Sequence, residues 1–306
     1  MTAVRVEAPR TARAVAAPTP EPAAGEVLVR VEGCGVCGSS RPLWEGRPWF
    51  EYPLEPGAPG HEGWGTIEAV GEGVGGLSPG ERVAFVSYHA FAELDVAEAR
   101  ACVPLPDALD GRPFPGEALG CAVNVLRRSD VRPGQRVAIV GIGFLGAALV
   151  QLCATAGADV VAFSRRLFGR ELACTLGARS VAGLADPADG TFERVIEAAG
   201  VQETLDFASR LTAERGRLVV AGYHQDAPRT VDMQLWNWRG IDVVNAHERD
   251  LETYAEGIRG AVDAVLADRL DLDRLVTHRL PLTRADEAFE LARTRPDGFV
   301  KAVVEP

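Results

Sequence analysis

With 306 residues, 47% of them hydrophobic and 25% charged, the chain has an ordinary soluble composition and enough length for a large core; at about 100–200 residues per domain it predicts two domains. The formal charge of −11 makes the surface repel nucleic acid and anionic membrane, which removes both as favoured partners. No apolar run approaches the ~18 residues of a membrane span, and the opening "MTAVRVEAPR" has no apolar leader segment.

In chain order, the first ~120 residues are rich in Gly and Pro and carry short β-branched runs, "EVLVRVEG", "GTIEAVG" and "ERVAFV", which read as strands joined by turns. From Val131 the texture changes. "RVAIV" reads as a buried strand, "GIGFLG" as a glycine turn and "AALVQLCATAGA" as an apolar helix. "DVVAFS", a helix over "FGRELACTLGA", "FERVIEAAG", a helix around "ETLDFASRL" and "GRLVVAGYH" continue the alternation. Strand–helix alternation predicts a parallel sheet with right-handed crossovers. After "IDVVNAH" a helix is expected through "LETYAEGIRGAVDAVLAD", followed by strand-like text in "THRLPL" and "GFVKAVVEP".

"RVAIVGIGFLGAALV" sets Gly141, Gly143 and Gly146 between a strand and a helix, with Phe144 and Leu145 opening that helix. Gly141 permits the turn, Gly143 lets a pyrophosphate approach the backbone, and Gly146 lets helix and strand pack closely. A simple tight turn is the bland alternative; the complete strand–loop–helix–strand context favours a dinucleotide. At the end of the second strand an acid would bind a ribose 2′-hydroxyl, but the sequence reads Ser164, Arg165, Arg166. A hydroxyl removes the repulsion of a 2′-phosphate and a guanidinium can grip it, so NADP(H) is expected over NAD(H); a solvated arginine loop is the alternative.

Six unevenly spaced cysteines do not resemble a disulfide scaffold, and a reducing cytoplasm is the expected location. Cys34-x-x-Cys37 has no second pair, which excludes a four-cysteine zinc knuckle. Cys121, Cys153 and Cys174 lie in apolar helical text and read as small core residues, while Cys34 and Cys102 suggest no role. Trp44, Trp49 and Phe50 either wall a pocket or pack their loop.

The order "GVCGSS", "GHEGWGTIEAVGEGV", "PGERVAF", "GIGFLG", with "THRLPLTRADEAFELA" and "GFVKAVV" at the end, resembles the medium-chain zinc-dependent alcohol and polyol dehydrogenases over essentially the whole chain. The resemblance implies an α/β fold: a Rossmann-type doubly wound parallel sheet at 119–249, and a β-rich GroES-like catalytic domain at 1–118 and 250–306. It implies Cys37 and His61 as zinc ligands, Glu117 of "GEALGCAV" as the third, and Glu62 as a nearby carboxylate able to approach the metal. Three protein ligands leave a fourth position open for a substrate oxygen. Ser39 matches the family's proton-passing hydroxyl, and Lys301 its basic contact to the cofactor phosphates. The implied activity is hydride transfer between NADP(H) and a small alcohol, polyol or sugar-like carbinol, by a homodimer or homotetramer. Departures from the family are Ser40 in place of an Asp behind the zinc-bound histidine, Pro42 in place of a relay histidine, Gly38 in place of a basic residue, and no four-cysteine lobe near "ERVAFVSYHAFAELDVA"; one catalytic zinc and no structural zinc is therefore expected. A zinc-independent enone or quinone reductase and a non-catalytic dinucleotide sensor are the rival readings.

Overall fold

The computed structural model describes residues 1–185 and 189–306, which divide into two compact units. Met1–Gly120, Arg249–Leu266 and Leu272–Pro306 form the first, and Cys121–Glu248 with Ala267–Asp271 the second. The return of Ala267–Asp271 to the second unit departs from the expected single boundary at 250. In that segment the Asp271 N–H donates to Gln151 Oε1 at 2.7 Å, a contact that the sequence pattern does not display.

The first unit opens with β1 (Thr2–Ala8) and β2 (Thr11–Ala16), an antiparallel pair. β3 (Glu26–Gly35), the short helix α1 (Arg41–Glu45), β4 (Gly63–Val70), β5 (Arg82–Phe85), β6 (Leu94–Glu98) and β7 (Cys102–Pro104) follow, and the helix α2 (Gly116–Ser129) begins in this unit and continues in the second. The valines of β3 at 27, 29 and 31 alternate into the core beside Ile67, Phe85, Phe91 and Phe289, the period-two pattern of a half-buried sheet.

The second unit contains β8 (Arg136–Val140), α3 (Phe144–Thr155), β9 (Asp159–Phe163), α4 (Leu167–Thr175), β10 (Ser180–Ala182), β11 (Phe192–Glu197), α5 (Gln202–Leu211), β12 (Thr212–Val220), α6 (Met233–Arg239) and β13 (Asp242–Asn245). Its six strands are all parallel in the order β10-β9-β8-β11-β12-β13. This is the doubly wound arrangement, whose ligands bind beyond the carboxyl ends of the strands where the order reverses, here between β8 and β11. Val137 to Val140 are fully buried, as a central parallel strand covered on both faces requires. Among the described residues, no helix is long and apolar enough to cross a membrane.

The chain then returns to the first unit with α7 (Leu251–Leu266), β14 (His278–Pro281), α8 (Ala285–Thr294) and β15 (Ala302–Glu305). β15 closes the first unit's main sheet by pairing with β3, Val303 opposite Gly35 and Val304 opposite Cys34. The sheet runs β14-β15-β3-β4-β5-β7, with β6 also on β3.

Candidate metal centre and dinucleotide loop

Where β3 ends, Cys37 caps a single 3₁₀ turn, Gly38–Ser40, and its sulfur accepts from the Ser39 N–H at 3.5 Å. α1 starts directly afterwards with Pro42 in its first turn, where proline's fixed φ suits a helix and its missing N–H costs nothing. Pro42 thus has a structural task at the position where the resemblance points to a relay histidine in some family members. The Ser39 hydroxyl donates to Cys37 Sγ at 3.1 Å and lies 3.3 Å from His61 Nε2.

His61 stands just before β4, with Nδ1 2.9 Å from the Pro59 carbonyl oxygen. A carbonyl only accepts, so Nδ1 carries a hydrogen, which leaves Nε2 as the ring atom on the side of Ser39 and Cys37. Ser40 does not reach the ring. Its buried hydroxyl donates to the same Pro59 oxygen at 3.3 Å. The His61 ring is therefore held by the Pro59 carbonyl, to which Ser40, standing at the family's Asp position, also donates.

Cys37, His61 and Glu62 bring one ligand atom each within 4.8 Å of one another. Thiolate, imidazole and carboxylate are the donor types that zinc takes. The electrostatics also suit a cation. Burial pulls the His61 pKa down, but Cys37, Glu117 and Glu62 push it up to about 10. Glu117, in the first turn of α2 and buried, lies outside the 4.8 Å group, yet its charge acts on His61 and on Lys301.

Lys301, expected at the cofactor phosphates, has a carboxylate partner inside the first unit. It is 4% exposed, with Nζ 2.8 Å from Glu62 Oε1 and 2.6 Å from Oε2. Its burial disfavours the ammonium, but Glu62, Cys37 and Glu117 outweigh that and raise its pKa. The pair runs past Gly35, where any Cβ would collide with the Glu62 carboxylate and the Lys301 stem. A phosphate contact of Lys301, as the resemblance implies, would have to be shared with this fully buried carboxylate. Trp44 packs rather than walls a pocket, stacked on Phe289 at 5.7 Å with its indole N–H on Asp286 at 2.7 Å, whereas Trp49 is exposed. Cys153 is buried as expected, but Cys121 is half-buried and Cys174 exposed; the apolar text around them does not hold every position inward.

In the second unit Gly141 has φ +98°, and Gly146 lies so close to the Gly141 carbonyl that no Cβ fits. A Cβ on Gly143 would meet nothing within 4 Å, so the backbone at the start of α3 lies open to a ligand. The α3 N-terminus has no side-chain cap; Phe144 and Leu145 form its half-buried first turn. An uncapped helix N-terminus behind an open glycine fits a pyrophosphate. At the end of β9, Ser164 is buried and its Oγ accepts from the Arg166 N–H at 3.3 Å. Arg165 pairs with Glu203 at 2.8 Å, and the Arg166 guanidinium sits over Phe168. Arg170, which the sequence reading passed over, donates to the Ser164 and Arg165 carbonyls at 2.8 and 3.3 Å. Its place one helical turn after Arg166 is the signal that could have found it.

Residues 23–112 match the family described as the alcohol dehydrogenase GroES-like domain, and residues 145–263 the family described as zinc-binding dehydrogenase. A 2-dehydro-3-deoxy-L-galactonate 5-dehydrogenase of Pseudoalteromonas atlantica is 26% identical, over 93% of this chain and 92% of its own. The sorbitol dehydrogenase of Gallus gallus is 28% identical over 90% and 88%. The solved structure of a zinc-binding dehydrogenase from Sinorhizobium meliloti, bound to NADP, has a TM-score of 0.86 at 26% identity and covers 100% of this chain and 99% of that one.

Proposed function

The chain belongs to the medium-chain, zinc-dependent alcohol and polyol dehydrogenases, oxidoreductases of CH–OH groups, and we propose that it moves a hydride between NADP(H) and a carbinol carbon of a polyol or sugar-like substrate, using one zinc ion per chain. The observation that carries this reading is the convergence of the Cys37, His61 and Glu62 ligand atoms beside the Ser39 hydroxyl. Cys37 and His61 would hold the ion with Glu117 as the third ligand, and Glu62, whose Oε1 is hydrogen-bonded to Lys301 while its buried Oε2 has no hydrogen bond, would stand beside the ion as a carboxylate able to approach it. Bound there, zinc would supply Lewis-acid polarisation of the substrate oxygen.

The residues divide the remaining work. Ser39 Oγ would take the alcohol proton while giving its own hydroxyl proton outward to solvent as the carbinol carbon gives up its hydride to the nicotinamide, and the relay runs the other way in reduction. Pro59 fixes the His61 ring through Nδ1. Gly141, Gly143 and Gly146, with Phe144 and Leu145 opening α3, cradle the pyrophosphate, while Ser164, Arg165 and Arg166 receive the 2′-phosphate. The sugar-acid and sorbitol substrates named for the relatives make a polyol panel the natural first screen.

The test combines elemental analysis with turnover of that panel with NADP⁺ and NAD⁺. About one zinc per chain is expected, lost in Cys37→Ala and His61→Ala with the fold retained, and reduced in Glu117→Gln. An enzyme fully active after exhaustive chelation would instead favour the zinc-independent reductase.

A further inference from the structure

Glu197 ends β11 as a completely buried carboxylate that none of the steps above uses. Its Oε1 accepts from the N–H groups of Ala199 and Gly200, both at 2.8 Å, and from the Thr204 hydroxyl at 2.7 Å. Its Oε2 lies 3.0 Å from His224 Nε2. Across the ring, Arg229 Nε donates to His224 Nδ1 at 2.8 Å; the same guanidinium donates to the Gly200 carbonyl at 3.0 Å and pairs with Asp226.

The direction of this chain is fixed. A guanidinium only donates, so Nδ1 must be the accepting nitrogen and Nε2 must carry the hydrogen given to Glu197. A neutral imidazole thus joins a guanidinium to a buried carboxylate. The four donors on Glu197 overcome the effect of burial and hold its pKa below the usual carboxylate value.

The network lies where it can shape a dinucleotide site. The Ala198 N–H bonds the Val140 carbonyl at 2.8 Å, and a Cβ on Gly141 would press on Ala199, so residues 198–200 abut the glycine loop. The N–H groups of Ala221 and Gly222 both bond the Glu197 carbonyl at 2.8 Å, which brings the loop after β12 to the same place. Ser164 fixes the adenosine side on β9, one neighbour of β8. The other half of a dinucleotide crossing the switch point must then run over the carboxyl ends of β11 and β12.

We propose that His224 is a positioning residue for the nicotinamide half of the cofactor. By linking Glu197 to Arg229 it holds residues 198–200 and 222–229 as one wall. This rests on the reading of the chain as an NADP(H) enzyme.

The test measures two dissociation constants on the full chain by calorimetry, one for NADPH and one for 2′,5′-ADP, which lacks the nicotinamide. His224→Leu, which removes both bonds of the ring, should weaken NADPH by about tenfold or more and leave 2′,5′-ADP within about twofold. His224→Gln, whose amide can accept from Arg229 and donate to Glu197, should recover most of the loss. Glu197→Gln presents an N–H to His224 and would force a second N–H against Arg229, so it should behave like His224→Leu. If His224→Leu does not fold, Arg229→Met removes the outer half of the network, its bonds to His224, Gly200 and Asp226 together, and carries the same expected split. Equal weakening of both ligands, or unchanged NADPH binding, overturns the proposal. Wild-type protein that binds neither ligand overturns the cofactor reading itself.

Discussion

Lys301 and Glu62 meet inside the first unit with 4% and 0% of their side chains exposed, whereas Arg165 and Glu203 meet on the surface of the second at 65% and 56%. The charges are alike and both basic residues were expected at the cofactor. Water decides what each can do. An exposed pair contributes about 0–1 kcal/mol and exchanges freely with solvent, so Arg165 can leave Glu203 for a phosphate. The buried pair has no solvent to fall back on, so separating Lys301 from its carboxylate is costly.

The largest effect should come from breaking the buried pair. Lys301→Met leaves Glu62 without its counter-ion, and urea titration should register a loss of about 3–5 kcal/mol. Adding Glu62→Gln should restore much of it. A single variant within about 1 kcal/mol of wild type would place the two pairs in one class.

Asp95 sharpens the contrast, because it is buried without a lysine or arginine hydrogen-bonded to it. It accepts from Ser87 Oγ and the Val96 N–H. Burial outweighs these bonds and pushes its pKa from 3.8 to about 6. The folded state therefore holds the proton more tightly than the unfolded one. The stability this gives is full below the unfolded pKa and is lost as pH rises through the folded value. At 1.36 kcal/mol per unit the loss reaches roughly 3 kcal/mol. Asp95→Asn should match wild type near pH 4 and become the more stable protein as pH rises through about 6; melts of both across that range check it, and a pH-independent difference would contradict it.

On the exposed side, Arg165→Ala should weaken NADP(H) by about tenfold or more and leave NAD(H) nearly unchanged, since one charge-assisted contact is worth about 1.5–3 kcal/mol. Equal losses for both cofactors would remove Arg165 from the phosphate. The smallest effect belongs to Glu203→Gln. It frees Arg165 from a solvated partner, so stability should change by less than about 1 kcal/mol and NADP(H) affinity should rise by no more than about fivefold.

What the sequence made legible was local. The glycine loop and the arginines after β9 sit within about 30 residues of one another, and their spacing carries the geometry that a helix N-terminus and a strand end impose. The resemblance placed Cys37 and His61 in one centre, but the partner of Lys301 is 239 residues away, and no spacing rule marks it. The histidine's support was illegible for another reason: it is the Pro59 carbonyl, and backbone atoms have no letter in a sequence. Cys174 shows the limit of composition, since apolar neighbours do not say which face of α4 a residue takes. Glu197 and His224 were visible as letters only; their joint meaning needs β11 and β12 side by side.

The separation of Glu62 from Lys301 also has a consequence on the ribosome. β3 cannot meet β15, nor Glu62 its lysine, until residue 301 has been made. At about 5–20 residues per second the carboxylate is synthesised on the order of ten to fifty seconds before its partner. Most of the second unit is one continuous segment, Cys121–Glu248, and emerges within that interval. The order of completion thus departs from the order of synthesis: the middle of the chain can fold while the strands made before it still wait for the last one.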